Sequence, residues 1–322
     1  MAYNFKEVMN KKERLAPGHR MCAGCGGTIA VRNILRGLRD EDKAVITGAT
    51  SCLEVSTFMY PYTAWNDSFI HNAFENAAAT CSGVQTAYEV LKKKGKIDGT
   101  YKFIAFGGDG GTYDIGLQSL SAAMERNHDM VYVCYDNAAY MNTGIQRSSA
   151  TPLYADTTTT PAGKLSNGKP QSRKDLAAII AAHDVPYVAQ TTLYKNFKDM
   201  HKKAEKAIYT PGAAFLNVMA PCPRGWRYET DDIMEICRLA VETCYWPLFE
   251  VIDGKWILNY KPKTKLPVEE FLKPQGRFKH LFKKGNEQLI EHAQAEVDKR
   301  WDALLDKCGE YSQGMIKKKE AI

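Results

Sequence analysis

Asp109, in the turn GGDGG, and Asn137, in YDNAAYMNTG, each end an apolar run and stand 28 positions apart. Together they offer a carboxylate and a side-chain carbonyl, and a main-chain carbonyl near Ala139 offers a third oxygen. Mg²⁺ takes hard oxygen ligands in tight octahedral geometry, usually one or two from protein and the rest from phosphates and water. Gly107, Gly108, Gly110 and Gly111 let the backbone come close to a phosphate. A helix starting near Thr112 would turn its free N–H groups toward that anion. The pair therefore reads as a metal-bridged diphosphate site. GGDGG alone is equally a strand-to-helix turn that merely needs glycine; the second element at this spacing tips the balance.

A second constellation is built from sulfur. Cys22-Ala-Gly-Cys25 is a C-x-x-C among glycines, and Cys52 and Cys222 stand alone further on, the latter between prolines in APCPRGW. Four thiolates can hold a tetrahedral Zn²⁺ or an iron–sulfur cluster. Structural zinc sites usually draw on two close pairs, whereas two of these cysteines are single residues on distant strand ends, which favours a cluster wrapped by loops. A C-x-x-C by itself is more often zinc or a redox pair. The remaining cysteines read as small core residues: Cys81 and Cys134 in apolar segments, Cys237 and Cys244 seven apart in a helix, and Cys308.

The elements that must position these groups alternate. Strands are expected at 44–47, 101–106, 130–135, 187–190 and 214–219, and helices at 75–94, 113–126, 172–183 and 196–209. Within the helix at 113–126, Ile115, Leu117, Leu120, Ala123 and Met124 are expected to face inward. The run at 130–135 is apolar almost throughout, as in a strand buried on both faces. A Thr-, Pro- and Gly-rich loop fills 138–170, longer than a plain connector. This pattern predicts an α/β fold with a doubly wound parallel sheet, which binds ligands beyond the carboxyl ends of its strands. Cys52, Asp109, Asn137 and Cys222 each follow a strand, so all four are expected along one sheet edge. The chain divides into a cofactor-binding domain at 1–246 and a C-terminal extension at 247–322. The extension comprises a hairpin at 249–260 turning at Asp253-Gly254 and a charged helix at 287–305.

Composition narrows the function classes. The chain has 322 residues, 44% hydrophobic and 25% charged, which is ordinary for a globular protein with a sizeable core. Its net charge is +6, but the lysines fall in short runs and no basic stripe interleaved with aromatics points to nucleic acid. No stretch approaches the roughly 18 apolar residues of a membrane span, and the N-terminus lacks the apolar core of a signal peptide. Nine cysteines in such a chain point to metal or redox chemistry rather than disulfides, and to the cytoplasm.

CAGCGG, TSCLEVS, HNAFENAAA, GGDGGTYDIGLQSLSAAMERN, VCYDNAAYMNTGIQRSSATP and APCPRGW, in this order, resemble the β subunits of the 2-oxoacid:ferredoxin oxidoreductases, the pyruvate:ferredoxin (pyruvate synthase) branch above all. The likeness runs from about residue 18 to the end and takes in LPVEEFLKPQGRFKHL. It implies that the diphosphate belongs to thiamine diphosphate. Mg²⁺ would be bound by Asp109, Asn137 and the Ala139 carbonyl, and the cofactor would be lined by Gly108, Gly110, Gly111, Tyr140, Asn142 and Thr143. It implies that Cys22, Cys25, Cys52 and Cys222 hold the 4Fe–4S cluster nearest the thiamine, and that Asn142 sits by the thiazolium as a catalytic residue.

The implied reaction is the reversible, CoA-dependent oxidative decarboxylation of a 2-oxoacid, pyruvate to acetyl-CoA and CO₂ first among them, with electrons leaving singly to ferredoxin. The implied partners are an α-type subunit that brings the glutamate for the aminopyrimidine, a ferredoxin-like cluster subunit or domain, and ferredoxin itself. Glu54 and Glu75 read as structural or capping, His71 as lining the site or starting a helix, and Arg147 and Arg224 as partners of a phosphate, a carboxylate or nearby acids. The stretch Trp65-Asn66-Asp67-Ser68 is more polar than in pyruvate-type members and leaves room for another acid, oxalate included. The competing enzyme class is a non-redox thiamine-dependent decarboxylase with a structural zinc site.

Overall fold

In a computed structural model, residues 3–319 and the side chains of residues 3–309 are described. Apolar runs build eight strands: β1 (Lys43–Ala49), β2 (Ser68–Asn72), β3 (Tyr101–Gly108), β4 (Met130–Asp136), β5 (Tyr187–Thr192), β6 (Ala213–Met219), β7 (Phe249–Ile252) and β8 (Lys255–Leu258). They form one sheet in the order β2-β1-β3-β4-β6-β5-β7-β8. The first six are parallel. β7 runs antiparallel to β5, and β8 to β7.

The parallel strands are buried on both faces because helices cover both. All seven residues of β4 and of β6 are buried. Val131, Val133 and Tyr135 enter one core with the helices Gly26–Leu35 and Lys198–Tyr209. Met130, Tyr132 and Cys134 enter the other with the helices Ala77–Lys93, Leu117–Glu125 and Leu176–Ala181. The chain direction across the sheet reverses between β1 and β3. Such a reversal opens a crevice at the carboxyl ends of the strands, where open α/β sheets bind ligands.

Several expected elements differ from those observed, each for a local reason. The helix expected at 113–126 is split into a π turn, Gly111–Ile115, and the helix Leu117–Glu125. The turn closes with Gly116 N–H donating to the Gly111 carbonyl at 2.7 Å. Its extra residue rotates the register, so Ile115 is not inward but 59% exposed. The helix expected from 172 starts only at Leu176, because Arg173 and Lys174 are committed to Asp136 and the Tyr113 carbonyl. Cys244 lies beyond the helix Ile233–Glu242, in a left-handed position with φ 58°.

β2 escaped the sequence pattern because it is a short edge strand with mixed burial. The hairpin continues the main sheet through β7. The last helix, Glu287–Lys319, packs Trp301 and Leu304 onto the second core. Among the described residues no helix is long and apolar enough to cross a membrane.

Candidate thiamine-diphosphate and cysteine site

The helix Cys52–Thr57 follows β1, Asp109 ends β3, Asn137 follows β4 and Cys222 follows β6. Parallel pairing with small register shifts therefore brings these four to one edge. Gly108, Asp109, Gly110, Gly111, Asn137, Ala139, Tyr140, Asn142 and Thr143 all line one cleft there, which Cys52 and Phe74 share.

Asp109 is 1% exposed. Its Oδ1 accepts from Asn137 N–H at 3.2 Å and its Oδ2 from Ser148 Oγ at 2.5 Å. Burial, and the neighbouring Asp136 carboxylate, push its pKa well above the usual carboxylate range; the Ser148 and Asn137 donors pull it part of the way back. One terminal atom of the Asn137 carboxamide lies 2.8 Å from Asp109 Oδ1 and 2.8 Å from the Ala139 carbonyl oxygen. With its nitrogen turned that way the amide donates to both. With its oxygen turned that way, it stands beside the Asp109 carboxylate oxygen and the Ala139 carbonyl oxygen. Adjacent ligands of an octahedral Mg²⁺ at 2.0–2.1 Å are about 2.9 Å apart, so this spacing fits the edge of such a shell.

The loop after β4 is held for this purpose. Ala138 is left-handed at φ 67°. Its N–H donates to Asp136 Oδ1 at 3.0 Å and its carbonyl accepts from Thr151 Oγ1 at 2.7 Å. Trp226 Nε1 donates to the Asn137 carbonyl at 2.7 Å. Asp136 in turn accepts from Tyr113 Oη at 2.8 Å and pairs with Arg173. Tyr140 Oη donates to the Gly110 carbonyl at 2.9 Å. A Cβ on Gly110 would stand 2.3 Å from the Tyr140 ring, so glycine is required for that closure.

Ser148, Asp136 and Trp226 escaped the sequence reading as site residues. RSSATP and APCPRGW were visible as motifs, but nothing in their spacing said that they reach back to Asp109 and Asn137.

The four motif cysteines form a second group beside the cleft. Cys22 is exposed, and Cys25, Cys52 and Cys222 are half-buried. Their loops are tied together by Gly26 N–H donating to the Pro221 carbonyl at 3.1 Å. A Cβ on Gly26 would stand 2.6 Å from the Ala220 backbone, so the close approach needs glycine. Gly225 N–H donates to Cys222 Sγ at 3.3 Å. Burial, then the like charges of Cys222, Cys25 and Cys22, push the Cys52 thiol up to about 12. Burial likewise raises Cys222, with Cys25 and Cys22 adding to it. Such mutual repulsion among thiolates is what a bound cation or cluster would relieve. Among the described residues no three His, Cys, Asp or Glu side chains close on one point as a ready single-ion site. Cys81, Cys134, Cys237, Cys244 and Cys308 are buried.

The remaining expectations resolve differently. Glu54 is buried and pairs with His71, which stacks on Phe58 at 5.1 Å. Glu75 and Arg147 are exposed. The polar stretch after Trp65 does not line the cleft: Asn66 and Ser68 are exposed and Asp67 is half-buried. Asp67 pairs with buried Arg14 at 2.8 Å, Asn66 donates to the Glu13 carbonyl at 2.9 Å, and Trp65 stacks on Phe69 at 4.9 Å. Its polarity serves the packing of the N-terminal segment.

Residues 49–218 match the family model of the thiamine pyrophosphate enzymes' C-terminal TPP binding domain. The site thus lies in a thiamine-diphosphate-binding α/β domain. The chain is 51% identical over 313 residues to pyruvate synthase subunit PorB of Thermotoga maritima, covering 95% of this chain and 96% of that one. It is 49% identical over 296 residues to the PorB subunit of Methanocaldococcus jannaschii (91% and 97% covered). To ketoisovalerate oxidoreductase subunit VorB of Pyrococcus abyssi it is 42% identical over 295 residues (91% and 93% covered). A solved 2-oxoglutarate:ferredoxin oxidoreductase from Magnetococcus marinus shares the fold at a TM-score of 0.54 and 19% identity, over 89% of this chain and 95% of that one. The chain belongs to the pyruvate synthase β-subunit family of the 2-oxoacid:ferredoxin oxidoreductases.

Proposed function

We propose that this chain carries thiamine diphosphate, bridged by Mg²⁺, and the adjacent 4Fe–4S cluster of a cytoplasmic, CoA-dependent enzyme that oxidises pyruvate reversibly to acetyl-CoA and CO₂. The observation that carries the reading is the meeting of Asp109 Oδ1, the Asn137 carboxamide and the Ala139 carbonyl at octahedral-edge spacing. When bound, thiamine diphosphate supplies the carbanion and electron-sink chemistry. The chain's own residues supply the rest. Asp109, Asn137 and Ala139 hold the metal, the backbone at Gly108, Gly110 and Gly111 faces the diphosphate, and Tyr140 and Thr143 close the cleft. Asn142 projects an amide into that cleft. Cys22, Cys25, Cys52 and Cys222 would hold the cluster, which would supply one-electron transfer.

The partners are an α-type subunit, a ferredoxin-like cluster subunit or domain, and ferredoxin. Pyruvate is favoured by the relatives named pyruvate synthase; the VorB relative favours a branched 2-oxoacid as the second reading. The test is iron analysis and a substrate panel on the anaerobically purified complex. This chain is expected to contribute about four irons, the content of one such cluster. Cys222→Ala should lose them and Cys134→Ala should keep them. Zinc in place of iron, or no reduction of ferredoxin with pyruvate, would contradict the reading.

A further inference from the structure

Arg277, in the motif KPQGRF, brings a cation into the interior without an anion to meet it. It is 2% exposed. Arg14, equally buried, is paired with Asp67, and the half-buried Arg173 with Asp136. Arg277 has no carboxylate within ion-pair range among the described residues. Its guanidinium stacks 3.9 Å over the Trp226 ring and 5.0 Å from the Phe278 ring, and Nε donates to Gln275 Oε1 at 2.9 Å. Nη2 is buried with no hydrogen-bond partner among the described residues.

Burial draws its basicity down to about 9, against the opposing charges of Tyr245, Asp136, Cys222 and Tyr228, so it stays a cation at neutral pH. An uncompensated buried ion costs several kcal/mol. Such a charge calls for an anion that arrives later.

Its surroundings indicate which one. Trp226, under the guanidinium, ends the short helix Pro223–Trp226 whose N-cap is Cys222. Tyr228, on the same loop, feels Cys222, Cys25 and Arg277 together. Four thiolates around a 4Fe–4S core leave a net negative charge, and each electron taken up adds another. We propose that Arg277 is the built-in countercharge of the cluster bound by Cys22, Cys25, Cys52 and Cys222, raising its reduction potential by stabilising the reduced form. This rests on the cluster assignment above. Net charge and hydrogen bonding around a cluster are among the factors that set its potential. The step is one electron in, with no proton and no bond made or broken.

The test uses the full chain with its cluster reconstituted anaerobically, titrated potentiometrically and followed by absorbance and electron paramagnetic resonance. Arg277→Gln, with iron content unchanged, should shift the reduction equilibrium about tenfold toward the oxidised form, about 59 mV lower for one electron. Arg277→Lys should stay near the wild-type potential. Where the Gln variant does not fold, Arg277→Met, which keeps the apolar stem without the charge, is read the same way. A Gln or Met variant with full iron and an unshifted potential would overturn the proposal. A wild-type chain that takes up no iron would overturn the cluster assignment instead, and the two failures are told apart by the iron analysis.

Discussion

Asp109 keeps its carboxylate out of water beside a second carboxylate, Asp136. That arrangement is costly in an isolated fold and sensible beneath a divalent cation. Asn142 is its counterpart on the open side of the cleft. It is exposed and lines the cleft. It is not a left-handed turn residue: the positive φ values fall at Gly144 (120°) and at Ile145 (64°), where a β-branched side chain is strained. Backbone geometry therefore gives no reason for an asparagine here, whereas an amide that can hydrogen-bond an oxygen gaining charge does. Such donors contribute about 10²–10³ in rate. Asn142→Ala in the assembled complex should cut turnover by that order with thiamine and iron contents unchanged. Asn142→Gly should be equally poor; full activity in the Gly variant would rule out the chemical role.

At the scale of elements, the sheet edge does the gathering and the loops do the aiming. The helix Gly26–Leu35 begins at Cys25 and is braced by His201 on the helix Lys198–Tyr209. His201 Nε2 meets Asn33 Oδ1 at 2.9 Å, and its Nδ1 meets Tyr3 Oη at 2.8 Å. Burial, helped by Arg36 and Lys11, lowers its pKa from about 6.5 to about 4. The unfolded chain thus takes this proton near pH 6.5 and the folded chain only near pH 4. Unfolded protein binds more protons in between, so stability falls as pH drops through that window and is recovered above it. Urea midpoints measured from pH 7 to pH 4 should show this slope, and His201→Gln should flatten it. An identical slope in the variant would remove His201 from the account.

The strands and the site they carry were legible because apolar runs, glycine turns and strand-end residues are local signals. The split after Gly111 was not, because a π turn leaves no periodicity of its own. The clasp of Ser148 on Asp109 was not either, since it joins residues brought together only by the loop's return. Nor was the pairing of Asp67, since its partner, Arg14, is distant in sequence.

For the molecule as a whole, the proposed function makes the cleft one half of a shared site. Asp109 is its acid, and among the described residues its lining contains no glutamate. Glu54 is spent on His71, and Glu75 faces solvent. On the proposed reading, thiamine activation needs a carboxyl group on the aminopyrimidine, and that group would come from the α-type subunit. The isolated chain, loaded with both cofactors, should not turn over pyruvate, and adding the α-type subunit should restore activity. Steady turnover by the isolated chain would show that the site is complete.

The central claim is that Asp109 and Asn137 bind thiamine diphosphate through a divalent metal. Calorimetric titration of the assembled complex with thiamine diphosphate, with and without Mg²⁺, tests it most directly. Binding should require the metal, and Asp109→Ala should weaken it by orders of magnitude while iron content stays the same. Binding of wild-type strength by Asp109→Ala, or by wild type stripped of divalent metal, would contradict the account.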